Sequence, residues 1–162
     1  MGDGIDDFSR RLQQQIYEEI RSAYGVVAYQ RWLNPRYMGA MKGPDGHACL
    51  HGTCGDTMEI FLKFNGDRVT EALFQTDGCG SSTICGSFAA EMAIGKNPDE
   101  LLDITGESIL EILGGLPEDQ QHCAFLAAEA LQTALHDYMM KQAKKVRPRK
   151  TDIAGRETRD SG

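Results

Sequence analysis

The feature that most constrains the fold is an alternating segment that runs directly into an Asn65-Gly66 dipeptide. Such alternation is typical of a strand with one buried face, and Asn-Gly is the strongest short-range signal for a β-hairpin. The return strand should cover residues 68–76. The apolar positions that define the buried face are Met58, Ile60, Leu62 and Phe64 on the first strand and Ala72 and Phe74 on the second.

The hairpin brings two distant cysteines to the same end of the sheet. A two- or three-residue turn at Asn65-Gly66 pairs position 54 with position 77 or 78. Cys54 and Cys79 should therefore be spatial neighbours. The segment 47–51 alternates as well, and we expect it to form a third strand beside the hairpin. A strand there explains His47, Cys49 and His51 without any ligand role.

Helical segments flank this sheet on both sides in the sequence. Apolar spacing and capping residues predict an N-terminal amphipathic helix over residues 8–32 and shorter helices after Ser82, after Pro98 and over 107–113. Leu116-Pro117 should open a last long helix that ends near residue 145. Cys123 should face inward, because it extends by one turn the predicted buried stripe of this helix, namely Ala127, Ala130, Leu131, Ala134 and Tyr138. The predicted fold class is α+β, a small antiparallel three-stranded sheet packed against several helices in one domain over residues 1–145. Residues 146–162 are polar and basic, and we expect a disordered tail.

Charge and apolar content restrict the classes of partner. The net charge of the 162-residue chain is -7, which disfavours nucleic-acid and anionic membrane surfaces. No segment is apolar enough to span a bilayer and the start lacks a signal-peptide pattern, so a cytoplasmic location is expected. Thiols stay reduced in the cytoplasm, which makes metal binding or thiol chemistry the better explanation for five cysteines. No Cys-x-x-Cys occurs, so the fold must assemble any metal site.

Three cysteines lie at the ends of predicted elements, where a thiolate is accessible and its pKa can be lowered: Cys54, Cys79 and Cys123. Asp56 lies two residues before Met58, so in a regular strand its side chain would point to the same buried face. A buried carboxylate is costly unless a polar or charged group pairs with it. Alternatively, Gly55 interrupts the alternation of the strand, and the side chain of Asp56 faces solvent. Cys85 lies on the apolar side of its helix and is interpreted as core.

His122 precedes Cys123 and lies about 100° from it round the helix axis, so both can line one cavity. Three thiolates with an oxygen or nitrogen from Asp56 or His122 complete either a tetrahedral zinc site or the four protein ligands of a [2Fe–2S] cluster. The residues themselves do not decide between these metals.

Four ordered motifs resemble those of the IscU/NifU N-terminal family across residues 16–142: Asn34-Pro35-Arg36-Tyr37-Met38-Gly39, Cys54-Gly55-Asp56, Gly78-Cys79-Gly80-Ser81 and Leu116-Pro117 with His122-Cys123. The resemblance implies a scaffold, not an enzyme, that accepts sulfur and iron, assembles a transient [2Fe–2S] cluster and delivers it to apo acceptor proteins. It assigns the ligands to Cys54, Cys79 and Cys123, with Asp56 and His122 as alternative fourth ligands. It also makes Cys123 the residue that accepts persulfide sulfur.

The partners that the resemblance implies are a cysteine desulfurase, an electron donor such as ferredoxin, and the acceptor proteins. An Hsp70-type chaperone is a doubtful partner, because residues 116–120 read Leu-Pro-Glu-Asp-Gln where Isc members have Leu-Pro-Pro-Val-Lys. Whether the chain forms a homodimer stays open. The alternatives are a SufU-type zinc-dependent sulfurtransferase, which usually has a basic residue where this chain has His122, and a structural zinc domain. Zinc is also the alternative occupant of the scaffold in its purified or apo state.

Overall fold

The computed structural model describes residues 2–53, 55–78, 80–114 and 116–161, except for the side chains of residues 2, 3, 5, 17, 20, 21, 23, 24 and 146–161. Cys54 and Cys79 therefore lie outside the described residues. The expected α+β class is confirmed. The elements are α1 (Gly2–Leu33), β1 (Gly46–His51), β2 (Thr57–Asn65), β3 (Arg68–Thr76), α2 (Gly80–Ala93), α3 (Pro98–Leu102), α4 (Gly106–Leu113), a 3-10 turn (Glu118–Gln120) and α5 (His122–Ser161).

The three strands form one antiparallel sheet in the order β1-β2-β3. The predicted hairpin is confirmed, but the turn consists of Gly66 and Asp67, since Asn65 already pairs with Arg68. Gly66 has φ 66°, a left-handed value that glycine adopts readily. A bulge at Lys63/Phe64 shifts the register by one further residue.

The later turn and the bulge together change which residues pair near the cysteines. The last paired residues are Met58 and Thr76, so the ladder, if continued, would place position 56 opposite position 78. The prediction that position 54 pairs with 77 or 78 was wrong, because it assumed a regular ladder around a turn one residue earlier. The pair that the register brings together at this end of the sheet is Asp56 and Gly78.

The core lies between one face of the sheet and helices α2 and α5. Both strands of the hairpin bury the predicted face, with Met58, Ile60 and Phe74 each 0% exposed. The close packing of α5 on β1 requires a glycine, because a Cβ on Gly46 would lie 2.4 Å from the carbonyl oxygen of Ala134. The predicted inner stripe of α5 is also buried, namely Ala127, Ala130, Leu131, Ala134 and Tyr138.

Helix α1 differs from a simple amphipathic helix packed on the core. Gly25 has non-helical φ and ψ and divides α1 into two parts. In the first part the apolar stripe is exposed, with Phe8 65%, Leu12 48% and Ile16 45% accessible. None of the helices that the structure describes is long and apolar enough to cross a membrane.

The long C-terminal helix begins later than the proline predicted. Pro117 precedes the 3-10 turn Glu118–Gln120, and α5 begins at His122. Cys123 is therefore the second residue of α5. The structure continues α5 to Ser161, beyond the end near residue 145 that the sequence predicted. The domain boundary at residue 145 and a separate tail over residues 146–162 stay predictions.

Candidate functional site

Three of the five predicted site residues come together at one end of the sheet. One ligand atom each from Asp56, His122 and Cys123 lies within 4.8 Å of the others. Sγ of Cys123 is 3.7 Å from Nε2 of His122. The other two predicted ligands, Cys54 and Cys79, lie outside the described residues, so their position relative to this cluster stays a prediction.

A hydrogen-bonded loop before β2 positions Asp56. The backbone N–H of Gly52 donates to the carbonyl oxygen of Asp56 at 2.7 Å, and the N–H of Gly55 donates to the carbonyl oxygen of Gly52 at 3.0 Å. Gly55 has φ 92°, which residues with a Cβ rarely adopt. The glycine between Cys54 and Asp56 therefore lets the chain turn sharply just before β2.

The segment after β3 approaches Asp56 from the opposite side. A Cβ on Gly78 would lie 2.6 Å from both Oδ2 of Asp56 and Oγ of Ser82. A Cβ on Gly80 would lie 2.7 Å from Cδ1 and Nε1 of Trp32, the sole tryptophan of the chain. Both glycines that flank position 79 are thus required by close contacts rather than by flexibility.

The solvent-facing alternative for Asp56 is not observed. Its side chain is half-buried, and its Oδ2 accepts a hydrogen bond from Oγ of Ser82 at 2.7 Å. The partly buried carboxylate thus has the hydrogen-bond donor that its burial requires. Ser82 was predicted only as a residue suited to capping α2, and its place in the site was missed, because nothing in the sequence shows which way a serine in a first helical turn faces.

Cys123 faces inward, as its helical spacing predicts, but it is not accessible, so the expectation drawn from its place at a helix start was wrong. Cys123 is 0% exposed, whereas the neighbouring His122 is exposed. The reason is that Cys123 lies one helical turn before Ala127, on the buried side of α5. Oγ of Ser82 lies 3.4 Å from Sγ of Cys123.

The remaining cysteines lie away from this cluster, as predicted. Cys85 is 0% exposed within α2, and Cys49 is exposed on β1. Partial burial, with the nearby carboxylates of Glu59 and Asp77, raises the pKa of the Cys49 thiol. A raised pKa makes the thiolate scarcer at neutral pH and disfavours a reactive role.

The histidines of β1 also have protein partners of their own. Nε2 of His47 lies 2.6 Å from Oε2 of Glu59, and Nδ1 of His51 lies 3.0 Å from Oγ1 of Thr57. Both contacts are cross-strand contacts between β1 and β2, as the interpretation of this segment as a strand requires.

The clustered donors are one carboxylate oxygen, one imidazole nitrogen and one thiol sulfur. This mixture suits zinc and iron rather than magnesium or calcium, which prefer oxygen ligands. The first turn of α5 also carries the positive end of the helix dipole, which favours a negatively charged thiolate there. The arrangement can therefore hold a thiophilic metal ion.

Comparison with known proteins gives related sequences over most of the chain. The family described as NifU-like N terminal domain matches residues 23–145. The iron-sulfur cluster assembly scaffold protein IscU 1 of Archaeoglobus fulgidus is 39% identical over 122 residues, which is 75% of this chain and 80% of the relative. The IscU scaffold protein of Aquifex aeolicus is 37% identical over 124 residues, 75% of this chain and 79% of the relative.

A solved structure shares the fold. The N-terminal part of a nitrogen-fixing NifU-like protein from Brucella abortus superimposes with a TM-score of 0.60 at 21% identity, covering 75% of this chain and 98% of that structure. This similarity shows the shared fold, and the sequence match over residues 23–145 confirms the family that the four motifs indicated. The chain belongs to the family of NifU-like N-terminal domains, together with the IscU scaffold proteins.

Proposed function

We propose that this protein is a scaffold on which a [2Fe–2S] cluster is assembled and from which the cluster is delivered to acceptor proteins. The observation that carries the proposal is the cluster of Asp56, His122 and Cys123 at one end of the sheet, which runs from a buried thiol to an exposed imidazole. The relatives named as iron–sulfur cluster assembly scaffold proteins support it.

In this proposal the cluster ligands are the thiolates of Cys54, Cys79 and Cys123, with Asp56 or His122 as the fourth. The close approach of Gly78 to Asp56 supports a shared site, since Gly78 precedes Cys79 and Asp56 follows Cys54 by two residues. Iron and sulfide are cargo that the chain holds and passes on. Because the chain only carries them, it is not an enzyme.

Sulfur would arrive as the outer sulfur of a persulfide on a cysteine desulfurase. The Cys123 thiolate attacks that outer sulfur, a new S–S bond forms on Cys123, and the desulfurase cysteine leaves as a thiolate. An electron donor such as ferredoxin supplies the two electrons that reduce the transferred sulfur to sulfide. Because Cys123 is buried, the site must open toward the desulfurase for this transfer.

The test is anaerobic reconstitution with ferrous iron, cysteine, a cysteine desulfurase and reduced ferredoxin as the electron donor. We expect the visible absorbance of a [2Fe–2S] cluster in the wild type and its loss in Cys123→Ser. Cys49→Ser is the matched control and should assemble the cluster normally, because Cys49 lies on β1 outside the site. A folded wild-type protein that forms no cluster would overturn the proposal.

The mixed oxygen, nitrogen and sulfur donors also suit zinc, and this favours a second candidate, a zinc-dependent sulfurtransferase of the SufU type. In that role bound zinc lowers the pKa of the thiols and Cys123 relays sulfur. Desulfurase turnover distinguishes the two functions. Strong stimulation by the zinc form, unaffected by iron, supports the sulfurtransferase.

A further inference from the structure

Ser82 occupies the space between two of the proposed ligands. Its Oγ lies 2.7 Å from Oδ2 of Asp56 and 3.4 Å from Sγ of Cys123. The residue is 0% exposed, so it makes both contacts shielded from bulk solvent. A buried hydroxyl placed between a carboxylate and a thiol has a direct means of fixing their relative position.

The two contacts of Ser82 are not equivalent. A serine hydroxyl has one hydrogen to donate and two lone pairs that accept. A hydrogen bond to an ionised carboxylate is stronger than one to sulfur, and 2.7 Å is typical of it. Ser82 therefore donates to Asp56, and its oxygen faces Cys123.

The surrounding backbone holds this geometry. Ser82 lies in the first turn of α2, which begins at Gly80. On the other side of the hydrogen bond there is no room for a side chain, because a Cβ on Gly78 would lie 2.6 Å from both oxygens. Asp56 itself follows a loop closed by the hydrogen bond from Gly52. The serine hydroxyl thus joins α2 to the loop before β2.

We propose that Ser82 is a positioning residue, which holds the carboxylate of Asp56 toward Cys123 and thereby sets the strength with which the site binds a metal. The inference rests on the proposed function in that it takes Asp56 and Cys123 as ligands. Hydrogen bonds to ligating carboxylates orient them, and losing one typically costs 10–100-fold in metal affinity. Ser82 acts through Asp56 and needs no contact with the metal.

The experiment measures Co²⁺ binding to metal-free protein by absorbance, with a competing chelator to fix the affinity. The variants are Ser82→Ala, Asp56→Ala and the double variant. Ser87→Ala is the matched control, since Ser87 is an equally buried serine of α2 that bonds Arg31 and Arg36 instead of the site. Circular dichroism checks that each variant is folded.

We expect Ser82→Ala to bind Co²⁺ about 10-fold more weakly, with its ligand-field bands shifted toward those of Asp56→Ala. In the Asp56→Ala background the same change should have almost no further effect, because the residue through which Ser82 acts is gone. Ser87→Ala should keep the wild-type affinity and spectrum.

Two results would overturn the inference. One is wild-type affinity in Ser82→Ala, and the other is an equal loss in the presence and absence of the Asp56 carboxylate. A wild type that binds no Co²⁺ would overturn it as well. If the predicted coupling is found but reconstitution gives no cluster, the inference about Ser82 stands and only the scaffold function fails.

Discussion

At the scale of single residues, the sequence identified the chemistry of the site better than its shape. The alternation before β2 allowed an inward-facing or a solvent-facing Asp56, and the structure half-buries its carboxylate. The helical angle between His122 and Cys123 predicted that both can line one cavity, and both lie near Asp56. The inward position of Cys123 followed from its helical spacing to Ala127, and the structure buries it. The contact from Ser82 could not be predicted, because it depends on how α2 packs. Such tertiary contacts leave no periodic signal.

Gly78→Ala tests the close approach of the two loops. The added methyl group would collide with Asp56 and Ser82, each 2.6 Å from its position, and should break their hydrogen bond. We expect weaker Co²⁺ binding and a loss of about 1–3 kcal/mol in the free energy of unfolding, as overpacking typically costs. Gly4→Ala is the control, since a Cβ added at Gly4 would have no other heavy atom within 4 Å. A Gly78→Ala variant that binds Co²⁺ as tightly as the wild type would contradict the close approach of Gly78 to Asp56 and Ser82.

At the scale of elements, the sequence pattern predicted the bounds of the strands more accurately than those of the helices. The hairpin was predictable because alternation and Asn-Gly agree, but the register was not, since the turn position and the bulge at Lys63/Phe64 together displaced it. The start of α5 was misplaced because Pro117 suits the residue before a 3-10 turn as well as a first helical position. The interruption of α1 at Gly25 follows from one left-handed glycine.

Arg31 attaches the end of α1 to α2, and its side chain is only 11% exposed. It donates to Ser87 at 3.0 Å and to Glu91 at 3.1 Å, and its guanidinium lies 3.9 Å from the centre of the Phe88 ring. We expect Arg31→Ala to lower the free energy of unfolding by about 2 kcal/mol, measured by urea denaturation.

Arg11→Ala is the control for that measurement, because Arg11 also forms an ion pair but is 74% exposed. Exposed pairs contribute little, so the loss should stay under about 0.5 kcal/mol. Equal losses in the two variants would show that Arg31 does not hold α1 on α2.

Asp137 joins α5 to β1 and gives that contact a pH dependence. Partial burial would raise the pKa of Asp137, but the hydrogen bonds from Lys141 and from the backbone N–H of His47 outweigh it and hold the pKa below the ordinary value. A lowered folded-state pKa contributes stability above the unfolded pKa of about 4, and this contribution disappears as pH falls through the folded-state pKa.

Asp137→Asn should therefore be less stable than the wild type at pH 7 by about 1 kcal/mol, the order of a hydrogen bond to a charged group. The difference should shrink as pH falls below about 4, because the wild-type carboxylate then becomes protonated. Urea unfolding of both proteins at pH values from about 2 to 7 measures this difference in stability over the range in which an Asp carboxyl is protonated. A difference that does not change with pH would exclude the ionised carboxylate as its source.

At the scale of the whole molecule, the order of helical and alternating segments predicted the α+β class, and four short motifs in a fixed order predicted the family. The core between the sheet and the helices α2 and α5 is built almost entirely from apolar side chains, and Cys123 is the one proposed ligand among its described members. A core of this kind should fold without metal.

Removal of metal with a chelator should therefore leave the far-UV circular dichroism and a cooperative thermal transition in place. A structural zinc domain would behave differently, since metal binding supplies its folding free energy. Loss of the folded spectrum on chelation would favour that alternative over a scaffold.

The central claim is that the molecule carries an iron–sulfur cluster rather than a resident zinc ion. The most direct test is the iron, zinc and acid-labile sulfide content of the protein purified without oxygen, together with its visible spectrum. The scaffold account predicts iron and sulfide in equal amounts with the absorbance of a [2Fe–2S] cluster. Zinc without sulfide, in protein that stays colourless after reconstitution, would contradict it.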